Sequence, residues 1–344
     1  MDKQTLRVRA MQRIGNVLEN EGEYKGAQVS LERALAYAKT NAQRSSILND
    51  MGWVMMQQGD LEAADQYSRK ALDHFGNDVR DEVLRAEIYD HLGNIAEKRG
   101  EVHQALEFHQ QSIAIKEKLG DVYSISESAN NLGAVYRSMG DFEQAKHYFQ
   151  RCLEMNQQIG YVVGIAMATS NLGNAYDDQN NTQEAIQCYR DALVLFEKIG
   201  HKPGVALCLD NLANCYDQLG EHAAALENLE KIISIYEELG DLEGQAHART
   251  GLSQVFLALD DVGEATQQAE LAIGLAHQAG LHDQIAFARS ALARTLAAQG
   301  KRDQAITELQ AAAKLFEEVG NETEANSLHD EIAILTQQLS RHEG

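Results

Sequence analysis

Apolar residues recur at three- and four-residue spacing along almost the whole chain, in runs such as HYFQRCLEMNQQI and QCYRDALVLFEKI, each closed by a glycine. That period places them on one face of an α-helix. Gly120, Gly160, Gly200, Gly240, Gly280 and Gly320 stand forty residues apart. An offset series runs through Gly59, Gly100, Gly140, Gly220 and Gly300, with Asn180 and Asp260 in the same register. Glycine at such points supplies the left-handed backbone that ends a helix, a conformation asparagine and aspartate also tolerate. Each forty-residue period therefore predicts two helices joined by short turns.

Two further columns concern packing. Ala27, Ala64, Ala105, Ala145, Ala185, Ala225, Ala265 and Ala305 recur in register. Twelve residues before each stands Gly15, Gly52, Gly93, Gly133, Gly173, Ala213, Ser253 or Ala293, preceded by Ile14, Met51 or a leucine. Small residues at matching points of paired helices predict close backbone approach, with the large neighbours filling the space between repeats.

The clearest copies read NLGAVYRSMGDFEQA from Asn131, NLGNAYDDQNNTQEA from Asn171 and NLANCYDQLGEHAAA from Asn211. They resemble the tetratricopeptide repeat (TPR), and the pattern recurs eight times in register over nearly the whole chain. Two departures stand out. The period is 40 rather than the 34 typical of that repeat, and the closing proline is replaced by Glu117, Gln157, Glu197, Glu237 and Glu317. Six extra residues lengthen the helices by about one and a half turns. Long repeats of this kind are similar to those of LGN-type adaptors, kinesin light chains and the sensor arms of bacterial signalling ATPases. The resemblance implies an all-α, right-handed superhelical solenoid of antiparallel helix pairs, with the first helices lining a concave groove.

The expected organisation is eight helix-turn-helix repeats over 1–320 and a C-terminal capping helix and tail over 321–344. Asn321 and Glu324 have capping-box spacing, and Leu328, Ile332, Leu335 and Leu339 share one face of that last helix. No counterpart precedes the first repeat, where Leu6, Val8 and Met11 fall. The shorter interval between Gly15 and Gly52 marks this end as irregular. A cut or an assembly surface is expected there, with self-association through the first repeat. No linker or second domain is read.

Composition narrows the function. Thirty basic against 52 acidic residues give a net charge of −22, which disfavours nucleic acid, and no basic stripe overrides it. No run approaches the roughly 18 to 20 apolar residues of a membrane span, and MDKQTLRVRAMQ lacks the apolar core of a signal peptide. A cytoplasmic protein without membrane contact is expected. The single proline, Pro203, follows Gly200 and belongs in the first turn of a helix.

No catalytic motif appears: phosphate loop, serine elbow and zinc-protease signatures are all missing. No enzyme activity, cofactor or metal is expected. His103, His109 and His147 fall on second helices and read as surface or partly packed rings. Cys152, Cys188, Cys208 and Cys215 form no C-x-x-C pair and read as small buried thiols; Cys152 shares a column with Ala192 and Ala272.

The candidate binding residues lie around the small column of the first helices. Asn16, Asn94, Asn174 and Asn214 follow it directly; Asn131, Asn171 and Asn211 precede it by two places, joined by His91 and Asp50. Asn49, Asp90, Asn130, Ser170 and Asp210 precede it by three. Asparagine donates and accepts, which suits the backbone of an extended peptide. Two readings stand open for the Asn131, Asn171 and Asn211 column: a peptide-binding ladder, or contacts that hold the repeats in register. Glu97, Asp177 and Asp217 lie one turn further on, with Asp178 beside them and Lys98 and Arg137 opposing. That balance suits a basic or mixed-charge partner, against the alternative of a solvated acidic face. Trp53 and Met56 form an apolar anchor pocket or pack on the first repeat. The expected function is a non-catalytic scaffold binding a peptide or partner segment; the alternative is the ligand-sensing arm of a larger signalling ATPase or transcription activator.

Overall fold

A computed structural model describes residues 3–20, 22–74 and 79–340, and among them there are seventeen α-helices and no strand. The chain divides into two compact units, Met1–Asn180 and Asn181–Gly344. The first holds α1 (Lys3–Asn20), α2 (Tyr24–Tyr37), α3 (Asn41–Gln57), α4 (Leu61–Leu72), α5 (Val79–Lys98), α6 (Val102–Leu119), α7 (Val122–Ser138), α8 (Phe142–Ile159) and α9 (Val162–Asp177). The second holds α10 (Thr182–Ile199), α11 (Lys202–Gln218), α12 (His222–Leu239), α13 (Leu242–Ala258), α14 (Val262–Ala279), α15 (His282–Ala298), α16 (Arg302–Glu318) and α17 (Glu322–Ser340). In each unit successive helices pair and stack on their sequence neighbours, as the forty-residue period predicts.

The turns follow from the glycines. Every member of both glycine series has a φ between 67° and 82°, and Asn180 and Asp260 adopt the same left-handed conformation at 60° and 63°. At one such turn the Gly59 and Asp60 amides donate to the Met56 and Met55 carbonyls, absorbing the free end of α3. Pro203 lies in the first turn of α11, where a missing N–H costs nothing. The expected last helix forms as α17; Asn321 caps it by accepting from the Glu324 amide, and Ala325 and Leu328 are buried with Ile332 and Leu335 against them. Leu339 lies outside the described side chains.

The alanine column is wholly buried in all eight repeats. The small column is explained by what faces it. A Cβ on Gly52 would lie 2.5 Å from Ser68 Oγ, one on Gly93 2.5 Å from the His109 ring and one on Gly133 2.5 Å from the Phe149 ring. The partner is the residue one turn beyond the alanine, so the hole in the first helix receives a knob from the second. A second set of contacts was not read from the sequence: Gly164, Gly204 and Gly244 leave room for Asn156, Phe196 and Tyr236. These occupy a column that begins with Lys116 and continues to Ala276 and Phe316.

Candidate functional site

Within the first unit, α5, α7 and α9 border a cavity of about 680 Å³. Asp90 and Asn94 reach it from α5 and Asn130 and Asn131 from α7. The first helices supply these groups because residues three and four apart share a face. Four of the expected binding residues thus line one cavity. Trp53 joins them; its indole donates to Glu19 Oε1 at 2.6 Å and its ring centre lies 5.0 Å from that of His91. Met56 is buried in the core cluster of the first repeats, so of the two readings for this pair packing holds for Met56.

Lys116, which lines the cavity from α6, belongs to a polar inlay that α6 makes by departing from its columns. In the other repeats of the forty-residue register the His109 position is Phe149, Tyr189, Leu229, Ala269 or Leu309, and the Ser112 position is Cys152, alanine or isoleucine. In α6 three of the five buried positions are polar, His109, Ser112 and Lys116, beside the apolar Ala105 and Ile113. Lys116 Nζ donates to Asp90 Oδ2 at 2.5 Å and to Ser128 Oγ at 2.8 Å. His109 Nδ1 lies 3.3 Å from Asp90 Oδ1, and Nε2 lies 2.8 Å from Glu97 Oε1. His109 is therefore neither a surface nor a half-packed ring, contrary to the sequence expectation: two carboxylates make full burial tolerable.

Protonation follows the same geometry. Burial opposes a charged His109, but the hydrogen bonds and charges of Asp90 and Glu97 outweigh it and hold the imidazolium above its ordinary range. A neutral ring could donate to only one of its two carboxylates. Burial would raise Asp90, yet the bond from His109 and the charge of Lys116 leave its carboxyl below the usual value. Nearby, burial pushes His91 down to about 4, and its Nδ1–H donates to Asn49 Oδ1 at 2.7 Å. Burial also pushes Asp50 up to about 6 against the hydrogen bond from Gln12.

The other expected residues divide. Asn171 Nδ2 donates to Asn130 Oδ1 at 2.7 Å across forty-one residues, and Asn174 Nδ2 approaches Asn171 Oδ1 at 3.5 Å. These amides link α7 to α9. Arg137 does not stand free to oppose the acidic residues: its guanidinium grips Asp178 at 2.5 and 3.2 Å, beside a second cavity of about 600 Å³ that Asn171 also borders. The cation facing the main cavity is instead Lys116, which the sequence reading overlooked because it belongs to a second helix. Asp177 is half-buried at the end of α9. In the second unit Asp210 pairs with His247 at 3.4 Å and Asp217 with His222 at 2.8 Å; Asn211 is half-buried and Asn214 exposed.

Chemically the arrangement can hold polar and cationic groups. Cys152, Cys208 and Cys215 are buried thiols, as expected, whereas Cys188 is only half-buried; burial raises Cys152 and Cys188 to about 11, far from thiolate reactivity. Among the described residues no cluster of histidine, cysteine and carboxylates is placed to hold a metal, and no helix is long and apolar enough to cross a membrane.

Helix pairs repeated in register, with chemistry confined to the faces between them, define a class of repeat protein. The chain belongs to the tetratricopeptide repeat family, whose models match residues 8–41, 84–158, 164–238 and 286–311. It is 32% identical over 100 residues to the photosystem I assembly protein Ycf3 of Synechococcus sp. (strain CC9605), a match covering 29% of this chain and 58% of that protein. Its fold is similar to that of a Rap protein complexed with competence and sporulation factor (TM-score 0.62, 12% identity, 97% of this chain and 98% of that one). It is also similar to a signal transduction ATPase with numerous domains and a tetratricopeptide repeat sensor from Pyrococcus horikoshii (TM-score 0.68, 17% identity, 93% and 50%).

Proposed function

We propose that the protein is a non-catalytic interaction module that holds an extended segment of a partner polypeptide along the first helices of its third to fifth repeats. The observation that carries this reading is the cavity of about 680 Å³, into which Asn94, Asn130 and Asn131 bring paired donors and acceptors from two successive first helices. An extended backbone offers alternating N–H and C=O groups that such amides match whatever its side chains. Rap proteins and Ycf3, whose names speak of a bound factor and of assembly, accord with a protein or peptide partner rather than a metabolite turned over. The net charge of −22 favours a basic or mixed-charge partner over nucleic acid, and a cytoplasmic setting suits the four cysteines.

The eight-repeat division of 1–320 with a capping segment over 321–344 belongs to this reading. Leu6, Ile14 and Val17, each about half exposed on α1, are where a second copy would pack, and concentration-dependent light scattering reads it. A second function is the sensor arm of a larger signalling ATPase. Supporting it is the likeness to the Pyrococcus horikoshii protein, of which this chain spans half.

The test is capture of partners from the source cell on the intact chain and on Asn94→Ala with Asn131→Ala, followed by titration of the partner identified. Two lost hydrogen bonds of about 0.5 to 1.5 kcal/mol each predict roughly tenfold weaker binding with little change in melting temperature. Equal capture and equal affinity would move the binding surface elsewhere.

A further inference from the structure

Four large apolar side chains border the cavity yet stay open to solvent: Val83 at 46%, Tyr123 at 43%, Tyr161 at 39% and Met167 at 49%. Tyr161 is unexpected on local grounds. It occupies the N-cap of α9, where its ring makes no capping bond, while Asp241 and Asn321 at the same point of later repeats accept from the helix amides. A capping side chain there is worth about 1 kcal/mol, so an exposed ring at this point forgoes stability. Tyr123, the second residue of the preceding repeat's first helix, meets it edge-on with ring centres 5.6 Å apart. Glu127, which lines the cavity beside it, raises the Tyr123 hydroxyl above its ordinary value.

The charge of the same walls is one-sided. Glu87, Asp121 and Glu127 border the cavity, and none forms an ion pair with a described residue. Of the two basic side chains present, Lys116 is taken up by Asp90 and Ser128, and His91 is neutral at pH 7 because burial holds it near 4. Crowding by the surrounding protein, together with the charges of Asp90 and Glu127, raises the Glu87 carboxyl even though Lys116 pulls it down. A cation entering here would relieve that repulsion. An exposed apolar rim joined to unpaired carboxylates matches a side chain with an apolar stem, a flat cationic head and several donors. Arginine has all three, and its guanidinium stacks on aromatic faces as an ammonium does not.

We propose that this cavity is the anchor pocket for an arginine of the partner segment, with its stem along Met167, its guanidinium against the Tyr123 and Tyr161 rings, and Glu87 and Glu127 as counter-charges. The inference rests on the polypeptide-docking reading and adds the residue that docking selects. A polypeptide, rather than a free amine, is the occupant because the asparagine amides beside the acidic end match a backbone that a free amine lacks.

The experiment labels the methionine methyl groups of the full chain and follows Met167 by NMR, its signal assigned with Met167→Leu. The probes are a blocked tetrapeptide with two central arginines, the same peptide with citrulline, and arginine amide alone. The expected result is a saturable Met167 shift with the arginine peptide. That affinity should fall about tenfold or more with citrulline, with Glu87→Gln plus Glu127→Gln, and with arginine amide. Tyr161→Ser should weaken binding while keeping or raising the melting temperature, since serine restores a cap. Equal binding of the arginine and citrulline peptides would overturn the cation pocket and leave polypeptide docking standing. Equal binding of arginine amide and the peptide would overturn the polypeptide source. No shift with either peptide would overturn the pocket and the docking reading together.

Discussion

Gly93 has no side chain because His109 occupies the space one would need: a Cβ there would stand 2.5 Å from both Cε1 and Nε2 of the ring. The ring cannot retreat, since Asp90 and Glu97 hold its two nitrogens. Gly93→Ala is therefore expected to destabilise by about 1 to 3 kcal/mol, as overpacking does. Gly274 lies within α14 with nothing within 4 Å of its absent Cβ. Gly274→Ala should stabilise by about 0.5 to 1 kcal/mol. Thermal melts of the two variants check the opposite signs.

The first-helix face contains two titrations that oppose each other. Asp50 has a native pKa of about 6 against 3.8 for the free group, so the native state takes up a proton first and gains stability as pH falls from 6 toward 4. His91 has a native pKa of about 4 against 6.5, so the unfolded state takes up the proton first and stability falls as pH drops below 6.5. Each shift is worth about 3 kcal/mol at full extent, and between pH 6 and 4 they nearly cancel. Asp50→Asn is expected to raise stability at pH 7 and to expose the loss from His91 on acidification. Urea unfolding of wild type and variant at pH 7 and pH 5 reads this; parallel pH dependences would contradict it.

Asp260 turns the chain after α13 with φ 63°, a conformation that strains a side-chain-bearing residue. Asp260→Gly should be neutral or stabilise by up to about 1 kcal/mol, whereas Asp260→Val, with a branched Cβ, should cost more than about 1 kcal/mol. Melting temperatures measured side by side separate these outcomes.

The helix pairs were legible in the sequence because one rule repeats: the left-handed glycines and the buried alanine column recur in register, so eight copies outweigh local noise. Asn180 and Asp260 were readable for the same reason. The cavity was half legible. Asp90, Asn94, Asn130 and Asn131 were found by asking what flanks the small column on first helices. Lys116 and Ser112 were missed, and His109 was read as a surface or partly packed ring, because they sit on a second helix, at positions whose counterparts are mostly apolar. The signal was present: a polar residue in a mostly apolar column is a departure that reading each column to its end would have caught. Pairings such as Asn130 with Asn171 depend on side-chain reach between helices, which periodicity does not encode.

That last pairing separates stability from binding among the asparagines. Asn130 and Asn171 join α7 to α9 by a 2.7 Å bond in a half-buried setting. Removing one partner leaves the other amide short of a hydrogen bond, so Asn171→Ala is expected to lower stability by about 1 kcal/mol. Asn214 is exposed on α11, where water replaces whatever its amide loses. Asn214→Ala should leave the melt unchanged. If Asn94 and Asn131 serve the partner as proposed, their alanine variants should resemble Asn214→Ala in melts and differ from it in affinity for the captured partner. Melts and titrations of all four single variants decide the matter. Should Asn131→Ala melt like Asn171→Ala with no separate effect on affinity, the amides of the α7 face hold the repeats in register and the partner docks without them.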